Sequence, residues 1–180
     1  MSTPESRATC AAFYAAQHCD TRPLATAARG AAAGATAMDL CTRSVVTCDA
    51  GMQVGEAARL MRSHHVGALV VVENHPAGLR LVTGIVTDRD IATGIVAADR
   101  DSRAARVADI MSGDVITARG ADGVPNLLAV MHRERVRRLP VTGPEGELIG
   151  IVTIDDLLGA LAAQVQALAQ AVGAAQRRIG

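Results

Sequence analysis

Gly84-Ile85-Val86-Thr87-Asp88-Arg89-Asp90-Ile91 and Gly150-Ile151-Val152-Thr153-Ile154-Asp155-Asp156-Leu157 are two copies of one pattern, G-I-V-T-x-x-D followed by Ile or Leu. In each, a β-branched run leads straight into Thr-x-x-Asp. That is a helix-capping signature: the threonine oxygen accepts from a first-turn amide and the acid reaches back to the cap. A strand that ends in a helix start, met twice, points to a duplicated unit, and self-similarity sets the architecture before any single motif is weighed.

Upstream of these elements the duplication continues. Ala37 to Thr47 aligns with Val107 to Thr117 at a step of 70 residues (117 − 47), and Val54, Met61, Val66, Leu69 and Val71 map onto Val124, Met131, Val136, Leu139 and Val141 at the same step. The two G-I-V-T elements stand only 66 residues apart (150 − 84), so the first copy carries four extra residues. They fall within Glu73 to Arg80, whose counterpart is Thr142 to Glu147. Both stretches are rich in turn formers, so each reads as a hairpin loop, where length varies at little thermodynamic cost.

Each copy predicts a short strand (Ser44 to Thr47; Asp114 to Thr117), an amphipathic helix (Val54 to Arg62; Val124 to Arg133), a strand (Ala68 to Val72; Leu139 to Val141), the loop, another strand (Gly84 to Val86; Leu148 to Val152) and a second helix. The unit is β-α-β-β-α, of the α+β (α/β) class. A three-stranded sheet cannot cover both faces within one such unit, so the two copies are expected to pack with pseudo-two-fold symmetry. The expected organisation is an Ala-rich arm, partly helical or disordered, over 1–36; the first copy over 37–97; a solvated Asp/Arg linker over 98–106; the second copy over 107–168; and a helical extension and tail over 169–180. The last helix carries Leu157, Leu161, Val165, Leu168 and Val172 on one stripe, able to pack on the module or on another chain.

Composition narrows the function classes. Charge is balanced at 18 basic and 18 acidic residues, all the basic ones arginine, so the chain lacks the long-range field that draws proteins onto nucleic acid or anionic membrane. Phe13 and Tyr14 are its only aromatics, which removes the stacking platforms of single-strand binders. The first residues lack a basic segment followed by a long apolar stretch, and no run of about 18 apolar residues occurs; no export, no membrane and a cytoplasmic location are expected. Cys10, Cys19, Cys41 and Cys48 have no zinc-ligand spacing, and adjacent His64 and His65 cannot both reach one metal as an i, i+4 pair does, so no metal site is expected. No catalytic constellation can be singled out.

The repeated element resembles the motif of the CBS (cystathionine-β-synthase) domain, and a tandem pair resembles a Bateman module. The resemblance spans roughly residues 37–168, including Val107 to Ser112 and the R-R-L-P-V strand at Arg137 to Val141. It implies a regulatory nucleotide-binding module without catalysis, similar to stand-alone bacterial CBS pairs. Its ligand would be an adenine nucleotide such as AMP, ATP, NAD or S-adenosylmethionine, and it would act as a homodimer on a partner protein. By that resemblance Thr87 with Asp90 marks one site and Thr153 with Asp156 the other, the threonine on phosphate and the aspartate on ribose. A carboxylate has two oxygens for a ribose's two hydroxyls. Val46-Thr47 and Ile116-Thr117 would line the base pockets, where aliphatic side chains can hold a purine by dispersion and area burial. Arg137 and Arg138 lie where the family often places basic residues near phosphates, opposite Gly67 and Ala68 in the first copy, so the two sites would differ. Arg89 would reach a phosphate or only water. The competing readings are a dimerisation scaffold with empty sites and an unrecognised enzyme.

Overall fold

The computed structural model describes residues 34–176. Most of the expected arm, with Cys10, Phe13, Tyr14 and Cys19, and the tail residues 177–180 lie outside the described residues. In chain order the elements are α1 (Ala37–Leu40), β1 (Thr47–Cys48), α2 (Val54–His64), β2 (Ala68–Asn74), β3 (Arg80–Thr87), α3 (Asp88–Ile91) running into a π-helical turn (Ala92–Val96), a 3-10 turn (Val107–Asp109), β4 (Ala118–Arg119), α4 (Val124–Glu134), β5 (Arg138–Thr142), β6 (Leu148–Thr153) and α5 (Ile154–Gln176).

Two three-stranded sheets result, β1-β2-β3 and β4-β5-β6, each with a parallel first pair and an antiparallel second pair. A parallel pair needs a crossover, and α2 and α4 supply it. Their apolar faces, Val54, Ala57 and Met61 in one and Val124, Leu127 and Met131 in the other, are buried. This is the α+β repeat the sequence implies. The first strand of each copy is shorter and later than the β-branched run suggests: Ser44 to Val46 and Asp114 to Thr117 are not strand, and pairing begins at Thr47 and Ala118. Extended preference makes a strand only where a partner runs alongside, here Val70–Val71 and Val141–Thr142.

The lead-in segments are exchanged between the copies. Ala37 and Met38 donate their amides to Asp122 O (2.8 Å) and Gly120 O (2.9 Å), and Ala37 is buried with Leu127, Leu139 and Leu157 of the second copy. Reciprocally, Val107 and Ala108 donate to Met52 O and Ala50 O, both at 2.9 Å, and Val107 is buried with Ala57, Leu69 and Val86 of the first. Thr42 and Ile151 exchange both backbone bonds (2.9 and 3.0 Å), as do Ser112 and Ile85 (3.0 and 3.1 Å). Thr42 is the repeat equivalent of Ser112 and Ile85 of Ile151, so the contacts are related by an approximate two-fold, as in an isologous interface.

The linker does more than bridge water. Gln53 makes no side-chain cap on α2, and the amides of Val54 and Gly55 donate instead to Ala105 O (3.0 Å) and Ser102 O (2.9 Å). These carbonyls satisfy orphan donors of the helix start, and Ala105 is buried with Val54 and Ile95. Among the described residues no helix is long and apolar enough to cross a membrane.

Burial pushes the Cys48 thiol up to about 11, with Asp49 adding to the rise, while burial also raises Cys41. Only about one Cys48 in a thousand is then thiolate at about pH 8. In a Cys10→Ser/Cys19→Ser/Cys41→Ser background, alkylation of the native protein is expected to be slow at that pH and to keep accelerating well beyond pH 9. Because the raised value belongs to the folded state, the stability this thiol contributes is present below its ordinary value of 9.0 and is lost as pH climbs towards about 11. A labelling rate that levels off near pH 9 would contradict the buried setting.

Candidate functional site

Both motif threonines close capping boxes of the same geometry. Thr87 donates its amide (2.8 Å) and its hydroxyl (2.7 Å) to Asp90 Oδ2, and Asp90 N donates back to Thr87 Oγ1 (3.2 Å). In the second copy the Thr153–Asp156 distances are 2.8, 2.7 and 3.3 Å. A similar pair starts α1: Thr36 donates its amide (2.9 Å) and its hydroxyl (2.7 Å) to Asp39 Oδ2, while Asp39 N donates to the backbone oxygen of Thr36 (3.0 Å) rather than to its hydroxyl; it was not singled out in the sequence, although it too reads T-x-x-D. These hydrogen bonds hold the Asp39 carboxyl below its ordinary value.

This geometry sets what the motif atoms can offer a ligand. Each motif hydroxyl has committed its proton to the aspartate, so a phosphate on Thr87 or Thr153 has to compete for it. Each Oδ2 already takes two donors, whereas among the described residues Oδ1 of Asp90 and Asp156 takes none. A ribose would therefore meet one carboxylate oxygen rather than two.

An open cleft of about 1120 Å³ lies where the copies meet, large enough for a nucleotide. One wall is the end of α2 and the approach to β2, from Arg59 to Gly67; the other is Arg137, Arg138 and the β6–α5 junction at Thr153 to Asp155, with Asp88 also facing in. Local chemistry builds both walls. α2 and α4 end on left-handed residues, His65 (φ 53°) and Arg135 (φ 55°), which turn the chain sharply into β2 and β5. Asp88 N then donates to Gly67 O (3.2 Å) and Ile154 N to Arg137 O (2.9 Å), tying each motif helix to the strand approach of its own copy. Gly67 leaves room where it is needed: a Cβ there would lie 3.2 Å from Asp88 Oδ2 and 3.8 Å from Arg138 Nη1.

Gly67 and Arg137–Arg138, read from the repeat as marking two unlike sites, thus line one cleft. Its electrostatics favour an anion, with Arg59, Arg62, Arg137 and Arg138 set against Asp88 and Asp155. Burial lowers the Arg138 pKa while Asp88 draws it back up. Among the described residues no carboxylate lies within ion-pair distance of Arg138; the two ion pairs are Arg100–Asp109 and Arg133–Glu134.

Of the residues singled out from sequence, Gly67, Arg137, Arg138 and Thr153 line this cleft, and Thr87, Asp90, Asp156, Ala68 and Arg89 do not. Ala68 is buried at the start of β2 and Arg89 is exposed. Nor do the expected base-pocket residues line it: Val46 packs on the first core, Thr47 pairs with Val70, and Ile116 and Thr117 are exposed ahead of β4. Arg59, Arg62, His65, Asp88 and Asp155 were missed. Arg59 and Arg62 stand three apart on the solvent side of α2, a spacing that marks one helix face but does not say what the face meets. Among the described residues no three His, Cys, Asp or Glu converge as a metal site would require.

Comparison with known proteins agrees with this architecture. Residues 37–97 and 107–163 match the CBS domain family. The CBS domain-containing protein YhcV of Bacillus subtilis is 34% identical over 119 residues, covering 66% of this chain and 80% of that protein. Inosine-5′-monophosphate dehydrogenase of Methanocaldococcus jannaschii is 32% identical over 116 residues, 64% of this chain but only 21% of that enzyme. Among solved structures, the CBS domain pair of protein MJ0100, in complex with 5′-methylthioadenosine and S-adenosyl-L-methionine, superposes with a TM-score of 0.60 at 25% identity, over 68% of this chain and 96% of that one. With both halves of the repeat matched, this chain belongs to the CBS domain family.

Proposed function

We propose that this chain is a non-catalytic regulatory module of the cytoplasm that binds an adenine nucleotide in the cleft between its copies and signals to a partner protein as a homodimer. The observation that carries this reading is the cationic cleft itself, in which Arg137, Arg138 and Thr153 line one wall and Arg59 and Arg62 the other. Met61, Val66 and Ile154 line the same space and suit a purine face, while Oδ1 of Asp156, beside the cleft, suits a ribose hydroxyl. Adenosine ligands in the MJ0100 pair support the ligand class. Four arginines favour several phosphates over the sulfonium cation of S-adenosylmethionine, so ATP or NAD is the better fit than AMP or S-adenosylmethionine. By the repeat, a second site would have Thr87 and Asp90 at its sugar phosphate, Val46 and Thr47 beside its base and Arg89 near its phosphate. A ligand moves the partner only as far as it prefers one of two states of the module.

Calorimetric titration with ATP, NAD, AMP and S-adenosylmethionine tests this. ATP binding is expected to fall about 10-fold or more in Asp156→Ala, the usual weight of a hydrogen bond to a charged group. That variant also loses a helix cap worth about 1 kcal/mol, so Asp39→Ala, which loses the same kind of cap away from the cleft, is the control and should bind normally. Silence across the whole panel would leave the scaffold reading, to which the exposed apolar stripe of α5 lends its own support.

A further inference from the structure

We infer that α5 is one half of a coiled coil completed by α5 of a second copy of this chain. The helix begins inside the second core: Leu157 is buried, and Ile154 and Leu161 pack on the cluster around Leu127 and Leu139. Beyond that point its apolar side chains face water, Leu158 at 57% exposure, Val165 at 68%, Leu168 at 67% and Val172 at 52%. With Leu161, these positions are spaced three, four, three and four, the a/d seam of a heptad. That seam is narrower than the stripe with which a helix lies on its own domain. Knobs enter holes only where the facing helix repeats with the same period of about 3.5 residues, and an identical helix meets that condition.

Charge and area both favour a copy of this chain over a different protein. No charged residue occurs from Leu157 to Gln176, so the face gives an acidic or basic partner nothing to hold, while self-pairing meets no repulsion. The residues flanking the seam are Ala162, Gln164, Ala169 and Ala171, which let two helix backbones approach closely. The four exposed aliphatic side chains leave on the order of 400 Å² in water, a size that marks an interaction surface rather than scattered exposure. Doubled, and with the flanking alanines, the contact reaches about 1,200 Å², the lower edge of specific interfaces. The dimer is therefore reversible, and it needs no nucleotide.

Sedimentation velocity of the full chain over a wide range of concentration tests this. A monomer–dimer equilibrium is expected, with the dissociation constant raised at least about a hundredfold in the Val165→Ser/Leu168→Ser variant, which removes the two most exposed seam residues. Gln170→Ser, on the opposite face of the helix, should leave the equilibrium unchanged. The substituted positions face water within one chain, and far-UV circular dichroism checks that α5 is retained. A dimer indifferent to the double substitution would place the contact elsewhere and overturn the inference. So would a monomer at every concentration, including one in which residues 1–33 of the same chain cover the seam.

Discussion

Arg138→Met is expected to weaken ATP binding by about 10- to 100-fold, the weight of one or two charge-assisted hydrogen bonds to phosphate. The same substitution is expected to raise the melting temperature. Arg138 stands at the mouth of β5, lines the cleft, and has no carboxylate within ion-pair distance among the described residues. Its guanidinium is already discouraged by burial, with Asp88 the largest favourable influence. A partly buried cation without a close partner costs the fold energy that only an incoming anion recovers. Methionine keeps the length and the apolar stem, so relief of roughly 1 kcal/mol, or about 2–4 °C in Tm for a chain of this size, is the expected gain. Calorimetric titration and a thermal melt of one preparation read both effects. Unchanged ATP affinity would remove Arg138 from the binding site, and a lowered Tm would mean that its charge is satisfied within the fold.

Gly150→Ala is expected to cost about 3 kcal/mol or more, lowering Tm by roughly 6–12 °C. A Cβ at Gly150 would lie 2.6 Å from Cys41 Sγ and 2.9 Å from the backbone oxygen of Thr42, which accepts from Ile151 N (3.0 Å) while Thr42 N donates to Ile151 O (2.9 Å). The backbone oxygen cannot move aside without breaking the exchange of lead-in segments. The equivalent Gly84→Ala should be milder, about 1–2 kcal/mol, because its closest obstacle is the flexible end of Met111, whose Sδ lies 2.7 Å away. Thermal or urea unfolding of the two variants gives the order directly. If Gly84→Ala were the more damaging, the lead-in crossing would not be what keeps the motif glycine small.

The glycine of G-I-V-T shows how far the residues could be read. Its recurrence at positions 84 and 150 was plain, and so were the repeat, the element order and the hairpin carrying the extra residues, because periodicity and turn chemistry are local properties of the chain. What the glycine accommodates was hidden: in each case it is the lead-in segment of the opposite copy, 27 residues away at Gly84 (111 − 84) and 109 at Gly150 (150 − 41). The same holds for the linker carbonyls that cap α2, since a helix without a capping side chain does not announce who supplies the acceptors. Short strands moved for a related reason: ladder pairing starts only at Thr47 and Ala118, after the β-branched pairs Val45-Val46 and Val115-Ile116.

At the candidate site the division is similar. The T-x-x-D pairs were legible as caps and are caps, and Thr36 gives its amide and hydroxyl to Asp39 in the same way. Local spacing determined that chemistry. Which atoms of the cap stay free, and which arginines stand opposite it, was decided only when two copies packed together, because a cleft between repeats is lined by residues whose sequence separation carries no trace of their proximity. The sequence by itself determined the duplicated unit and its helix starts, through short-range preferences that act wherever those residues occur. The tertiary structure alone decided that Arg62, His65 and Arg138 share one cleft, since long-range packing sums contacts that no local window contains.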